Sequence, residues 1–364
     1  MIPLLWRYML KSYLKVFTLC LISFIAILLV TRSQDIAKFA ALSSEWKMIG
    51  LFISYQIPYL LPLAIPISCL ISATILAQRL SRSHELTSMR ASGISLALIG
   101  APIMIITGFL ALANLYIASE IAPQSRIRGK RVLFETAAKN PLILMQKNKL
   151  LKIKDSYVDM EMIRSPHLAG NVIFAFRNPS TGRINVIAAD ELELKQSVFH
   201  GKDVAILSTT ESKEEAAFDP TILENRKTVE AEAMLVTELL QASSMQLGYE
   251  YFPLKQMLIK GKEEGQKAQS VIIFEIYRRL FFFLAPFTLA YIGLVFGTQI
   301  GRRSRQNNVF WIVILTGVVF VLYLAAKSFE GKPLLAFLFF FAPHPLVFLL
   351  AGRRNWKLAH GVEQ

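Results

Sequence analysis

Six blocks of this chain are long and apolar enough to cross a lipid bilayer, and that restricts the fold more than anything else in the sequence. A helix spanning the hydrocarbon core needs roughly 17–25 mostly apolar residues. Residues 13–30, 49–77, 94–117, 280–300, 309–326 and 333–350 meet or approach that length. The composition agrees, with 54% hydrophobic and 18% charged residues, where a soluble domain carries about a quarter charged. The second block exceeds what a span needs and carries Pro58, Pro62 and Pro66. Their four-residue spacing puts them on roughly one helical face, and the block is expected to be kinked or tilted. The first block starts basic but ends at Val30-Thr31-Arg32 without a small-x-small cleavage signature, so it reads as a retained helix rather than a signal peptide.

Charge sets the expected topology. The net charge is +14, yet residues 126–275 hold 21 basic and 20 acidic residues, so the excess lies beside the apolar blocks. That distribution fits membrane topology and argues against nucleic acid. Arg7, Lys11 and Lys15 precede the first block, Arg79, Arg82 and Arg90 follow the second, Arg302, Arg303 and Arg305 follow the fourth, and Arg353, Arg354 and Lys357 follow the sixth. The opposite short loops carry Arg32, Lys38, Lys47, Lys327 and Lys332. By the positive-inside rule both termini are expected to be cytoplasmic and the large insert to face outward. Trp6, Trp46, Trp311 and Trp356 all fall near span ends, where an interfacial aromatic belt belongs. Cys20 and Cys69 lie within spans and say nothing about the redox compartment.

The insert is a different kind of sequence. Short β-rich runs at 142–146, 150–154, 157–163, 172–177, 184–188, 191–195, 204–208 and 228–236 are separated by turn residues. Asn178-Pro179-Ser180-Thr181-Gly182 and His200-Gly201-Lys202-Asp203 read as turns. The spacing predicts an antiparallel sandwich, roll or open barrel. After Pro253 the pattern turns helical and leads into the fourth span. The expected protein is therefore an α-helical integral membrane protein with six transmembrane helices and an antiparallel β domain inserted between helices three and four. The boundaries drawn are 1–125 for the first membrane part, 126–252 for the β domain, and 253–364 for a linking helix and the last three spans.

No catalytic constellation stands out. His84, His167, His200, His344 and His360 do not pair at metal-ligand spacing, and neither a His-Glu-x-x-His nor a Gly-x-Ser-x-Gly motif occurs. Residues 261–267 have the wrong spacing for a phosphate loop, and no strand precedes them. No cofactor is expected. Ion-coupled transport usually leaves ionisable residues inside spans. The blocks are almost free of them, with Glu120, Lys327 and Glu330 at the ends, which favours a permease driven by a separate ATPase.

Residues 78–95 form the connection between the second and third spans and predict a short amphipathic helix at the cytoplasmic face. Leu86 and Met89 can share an apolar side, Arg82 and Glu85 stand at ion-pair spacing, and Gly93 permits a tight break. A solvated connecting helix and a coupling helix docked in a groove on an ATPase both satisfy this pattern. The run Glu85-Leu86-Thr87-Ser88-Met89-Arg90-Ala91-Ser92-Gly93-Ile94-Ser95 resembles the signature of the LptF/LptG (YjgP/YjgQ) permease family, the membrane subunits of the bacterial lipopolysaccharide exporter. The three-helix, β, three-helix order and the stretch Ile276-Tyr277-Arg278-Arg279-Leu280 resemble that family too.

The resemblance implies a jellyroll-like β domain, a bacterial inner-membrane location and a homologous second permease subunit. It also implies a dimeric cytoplasmic ATPase (LptB-like) and a periplasmic bridge protein (LptC/LptA-like). ATPase coupling is then expected from Arg82, Glu85, Leu86, Met89, Arg90, Ser92 and Gly93, with Glu85 the contact residue. Lipopolysaccharide would be drawn from the membrane and pushed through the β domains to the bridge. Arg32, Lys38, Arg278 and Arg279 would meet its phosphates, although ordinary interfacial snorkelling also explains cations at those places. The apolar positions of the β domain either line an acyl groove or fill its core. Two other classes stay open at this point. One is a membrane-anchored lipid-binding or scaffold protein without an ATPase partner, and the other is a membrane-embedded enzyme.

Overall fold

The structure, a computed structural model, describes residues 4–42, 45–139, 151–153, 156–165, 168–177, 184–195, 198–209, 222–232, 248–263, 266–299 and 305–360. They divide into two compact units, one of residues 1–34, 53–128 and 248–364, the other of residues 35–52 and 129–247.

The first unit is helical. Its elements are α1 (Leu4–Thr31), the start of α2 (Ser33–Leu42), α3 (Trp46–Arg82) from residue 53 onward, α4 (Glu85–Ala91), α5 (Leu96–Tyr116), a π-turn (Ile117–Ile121), the start of α6 (Ala122–Lys139), α7 (Leu254–Glu263), α8 (Gln266–Gly297), α9 (Arg305–Lys327), α10 (Pro333–Phe341) and α11 (Pro343–Ala359). Six stretches of this helix are long and apolar enough to span a membrane: residues 4–31, 46–82, 96–133, 269–297, 308–327 and 333–359. Each outruns the corresponding apolar block, because a helix continues through its polar ends while hydropathy stops at the first charges. The fourth starts eleven residues earlier than its apolar block and so takes in Glu275, Arg278 and Arg279. The sixth is made of two helices meeting at Ala342, with Pro343 opening the second.

α3 and α8 form the centre. Two-thirds of the apolar window of each is buried, against 11% for α1. The reason is local: α8 turns Gly293 and Gly297 toward α3, where a β-carbon at Gly293 would lie 2.9 Å from Thr74 Oγ1 and one at Gly297 2.9 Å from Ala77 Cβ. Small residues one helical turn apart let the two backbones touch, which is how helices associate where lipid removes the hydrophobic drive. Around this contact Phe281, Leu289, Val319, Tyr323, Phe340 and Val347 fill one buried cluster, and Met9, Tyr13, Cys69, Leu76, Ile103 and Ala290 fill a second. α3 runs unbroken through Pro58, Pro62 and Pro66. The prolines remove backbone donors without ending the helix.

The second unit holds the β domain expected between the third and fourth spans. Its six described strands are β1 (Leu151–Ile153), β2 (Ser156–Ser165), β3 (Leu168–Arg177), β4 (Ile184–Lys195), β5 (Val198–Thr209) and β6 (Ile222–Glu232), and they pair antiparallel in chain order as one sheet. The run at 142–146, the Asn178–Gly182 turn and residues 233–236 lie outside the described residues. Two expectations change. The runs 184–188 and 191–195 are one strand, and His200-Gly201-Lys202-Asp203 is not a turn but part of β5. The turn-like residues do bend the sheet. Asn171 and Asp203 have φ of 48° and 52°, a region that asparagine and aspartate enter more readily than other side chains. The flanking pairs Gly170↔Glu191, Val172↔Ala189, Ala189↔Val204 and Glu191↔Lys202 place both opposite Asp190. A crease therefore runs across three neighbouring strands while the register on either side is kept. Gly201 beside it has no room for a side chain, since a β-carbon would fall 2.8 Å from Val204 Cγ2.

Candidate functional site

At the end of the helical unit where α1 and α9 terminate, a cavity of about 450 Å3 opens among α1, α3, α8, α9 and the π-turn with the start of α6. Among the described residues, Arg32, Arg126, Arg278, Arg279 and Lys327 line it together with the Glu250 carboxylate. The rest of the wall is largely apolar, including Leu28, Leu63, Phe282, Phe320 and Leu324.

Aromatic faces hold the cations in place. Arg32 lies over the Tyr59 ring at 5.2 Å, and Arg126 lies over Tyr59 at 4.2 Å and Tyr251 at 4.7 Å. Lys327 lies over Tyr323 at 5.4 Å. A π-face orients a cation without cancelling its charge. Arg126 also pairs with the Glu250 carboxylate at 3.0 Å.

α8 contributes a buried charge cluster. Arg278 donates to both Glu275 oxygens, Nε to Oε2 at 2.7 Å and Nη2 to Oε1 at 2.6 Å. Arg279 Nε donates to the same Oε1 at 3.0 Å. The three residues stand at i, i+3 and i+4, so helical geometry alone brings them together. Within α8 one carboxylate thus serves two guanidiniums.

The structure brings three of the four expected phosphate-binding residues to this cavity, but it separates their roles. Arg278 and Arg32 are partly exposed there. Arg279 is buried at 1%, and besides Glu275 it donates to the carbonyls of Ser119 at 3.1 Å and Phe252 at 2.7 Å. Arg279 Nε, Nη1 and Nη2 thus each hold an acceptor of the protein itself. The Lys38 side chain lies outside the described residues. Sequence reasoning missed Arg126 and the cavity side of Lys327, and it missed Glu275 as counter-ion because the span was drawn to begin at residue 280. The Glu-x-x-Arg-Arg spacing was the available signal.

The connection between α3 and α5 departs from a single amphipathic helix over residues 78–95. α3 carries Arg82 on its last turn, His84 takes a left-handed conformation with φ 58°, and α4 starts afresh at Glu85. Glu85 accepts from Tyr8 Oη at 3.5 Å, rather than from Arg82, which the left-handed break takes off the α4 register. Leu86 is buried in the cluster formed by α1, α3, α5 and α8, and Met89 packs against that cluster. The apolar side thus anchors α4 to the bundle. Arg82, Ser92 and Gly93 are exposed, and Glu85 and Arg90 are half-buried. Arg90 donates to the Ala359 carbonyl of α11 at 3.1 Å. The expected break at Gly93 is a paired C-terminal cap: Gly93 N–H meets the Arg90 carbonyl, Ile94 N–H meets the Met89 carbonyl, and Gly93 has φ 81°. Ser95 Oγ then caps α5 by accepting from Leu98 N–H at 3.3 Å.

Six spans, a β insert after the third and a cationic, apolar-walled cavity in the bundle describe a membrane permease. The family model for the lipopolysaccharide export system permease LptF/LptG matches residues 7–357, nearly the whole chain, and the protein belongs to that family. It is accordingly a multi-pass inner-membrane transporter subunit and not itself an enzyme. A search of curated proteins finds no match.

Proposed function

We propose that this chain is one of two homologous permeases that take lipopolysaccharide from the outer leaflet of the inner membrane, with the cavity as the seat of its phosphorylated lipid head. The carrying observation is the combination of cations and apolar wall in one cavity: a phosphorylated amphiphile needs both, and ordinary snorkelling would direct the cations into water, away from tyrosine faces inside the bundle. Guanidiniums bind phosphate oxygens through paired N–H groups. Arg32 and Arg278 are the contacts proposed from the expected set, joined by Arg126 and Lys327. Arg279 has the supporting role of holding α8, and Lys38 keeps its proposed role from its place in sequence just past the outer end of the first span.

On this reading a dimeric cytoplasmic ATPase (LptB-like) supplies the energy by docking on the segment of Arg82, Glu85, Leu86, Met89, Arg90, Ser92 and Gly93. Leu86 and Met89 act there by anchoring α4, and the others by contact. Both termini face the cytoplasm, and the β domain, residues 126–252 by the proposed division, faces the periplasm between membrane parts 1–125 and 253–364. The lipid is then passed through that domain to a bridge protein (LptC/LptA-like). The charge asymmetry of the short loops supports the orientation.

The test is binding of lipid A bisphosphate to the purified complex. Arg32→Ala or Lys327→Ala should each weaken it about tenfold, the effect of losing one charge-assisted contact. Lipid A lacking one phosphate should lose affinity in the native protein and be less sensitive to one of the two substitutions. Unchanged affinity in both variants would remove the cavity from the account.

A further inference from the structure

Asn114 lies on α5 with no exposed surface, in the middle of an apolar bundle. Its Nδ2 donates twice, to the carbonyl of Pro62 on α3 at 3.3 Å and to the carbonyl of Phe282 on α8 at 2.6 Å. Neither acceptor is arbitrary. In an α-helix the carbonyl of residue i receives the N–H of residue i+4. Position 66 is proline and position 286 is proline, so Pro62 and Phe282 each carry a carbonyl whose helical donor does not exist. A buried carbonyl without a donor is costly where no water reaches. One amide nitrogen with two N–H groups satisfies both and joins three helices at one point. The amide oxygen has no partner among the described residues, which marks the side chain as present for its donors.

Two neighbouring features place this junction at the cavity. Pro62 and Phe282 both line the cavity, as do Ala118 and Ala122 at either end of the π-turn that begins three residues after Asn114. The π-turn is gripped from α8 as well, through the Arg279 bond to the Ser119 carbonyl. π-turns and proline-weakened helices are where helices change direction. Here both kinds of weak point meet at a single side chain.

We propose that Asn114 is a positioning residue for transport: it latches the proline-weakened points of α3 and α8 to α5 and so sets the wall of the lipid cavity. This rests on the reading of the cavity as the lipid seat. The latch replaces the rigidity that Pro66 and Pro286 remove, and it does so at the cavity wall, which Pro62 and Phe282 line.

The test compares four forms of the assembled exporter in detergent: native, Asn114→Leu, Pro66→Ala/Pro286→Ala, and all three substitutions together. Leucine keeps the volume and removes the donors. Asn114→Leu should lower the thermal midpoint by about 5 °C and weaken binding of lipid A bisphosphate about tenfold. Alanine at 66 and 286 returns an N–H to each carbonyl, so the triple variant should regain the midpoint. It should not regain lipid A binding, because without the amide α5 is no longer tied to α3 and α8 at the cavity wall. A triple variant as unstable as Asn114→Leu overturns the assignment of the two carbonyls. Native-like lipid binding in Asn114→Leu or in the triple variant overturns the positioning role. Failure of the native exporter to bind lipid A sinks the reading of the cavity and the positioning role with it, while the midpoints still report on the latch separately.

Discussion

Replacing Glu275 by alanine should destabilise the folded chain by about 3–5 kcal/mol, the cost of stripping the counter-ion from a buried ion cluster. The side chains of Glu275 and Arg279 are 5% and 2% exposed and that of Arg278 is 17% exposed, so little solvent is available to take over. Without the carboxylate, two guanidiniums stand one residue apart inside a span, Arg278 loses its bonds at 2.6 and 2.7 Å, and Arg279 loses one at 3.0 Å. Glu275→Gln should be nearly as damaging, because a carboxamide accepts one bond but carries no charge. Glu275→Ala/Arg279→Met should recover only part of the loss, since Arg279 also holds the Ser119 and Phe252 carbonyls. Denaturation in detergent, read beside yield of monodisperse protein, measures all three. Glu224→Ala is the contrast: its pair with Arg226 is about half exposed on both sides, and such pairs contribute about 0–1 kcal/mol. Equal loss from Glu275 and Glu224 would show that the α8 cluster is not buried in the folded protein.

Glu85→Ala should instead leave the fold intact and cut ATP-driven export at least about tenfold, the change expected when roughly 1.4 kcal/mol of coupling is removed. Little structure depends on this carboxylate. Its bond from Tyr8 is long at 3.5 Å, and an acidic residue in a first helical turn adds only about 0.3–1 kcal/mol. The buried anchor of α4 is Leu86, which the substitution does not touch. A matched pair of measurements, thermal midpoint and lipid release per ATP hydrolysed, separates the two effects. Export at the native level would take Glu85 out of the coupling role and favour the reading of α4 as a plain connecting helix.

The spans were legible because hydropathy reports the solvent a helix sits in, and six long apolar blocks admit few alternatives. Their ends were not, because a helix that leaves hydrocarbon keeps its hydrogen bonds. Drawing the fourth span from residue 280 hid Glu275 and made Arg278 and Arg279 look like a free pair of interfacial cations. The strands were legible from alternation. The crease was misread as a turn, since Gly201 and Asp203 signal a bend without saying whether the chain reverses there. The residues of the cavity come from six separated parts of the chain. Arg32 could be singled out because it stands alone after an apolar block, whereas Arg126 and Lys327 join it only through packing. Asn114 could not be recognised at all: pairing one amide with two proline-released carbonyls 52 and 168 residues away requires the structure.

The central claim is that the cavity receives the lipid during transport, and site-directed photocrosslinking tests it most directly. A photoreactive phenylalanine analogue at Phe320, on the cavity wall, should capture lipopolysaccharide in the working exporter, with a yield that changes when ATP is supplied. The same analogue at Phe109, which is 64% exposed on the outside of α5, should give only ATP-independent background from bulk lipid. Equal, ATP-independent adducts at the two positions, in a complex that still exports, would contradict the account.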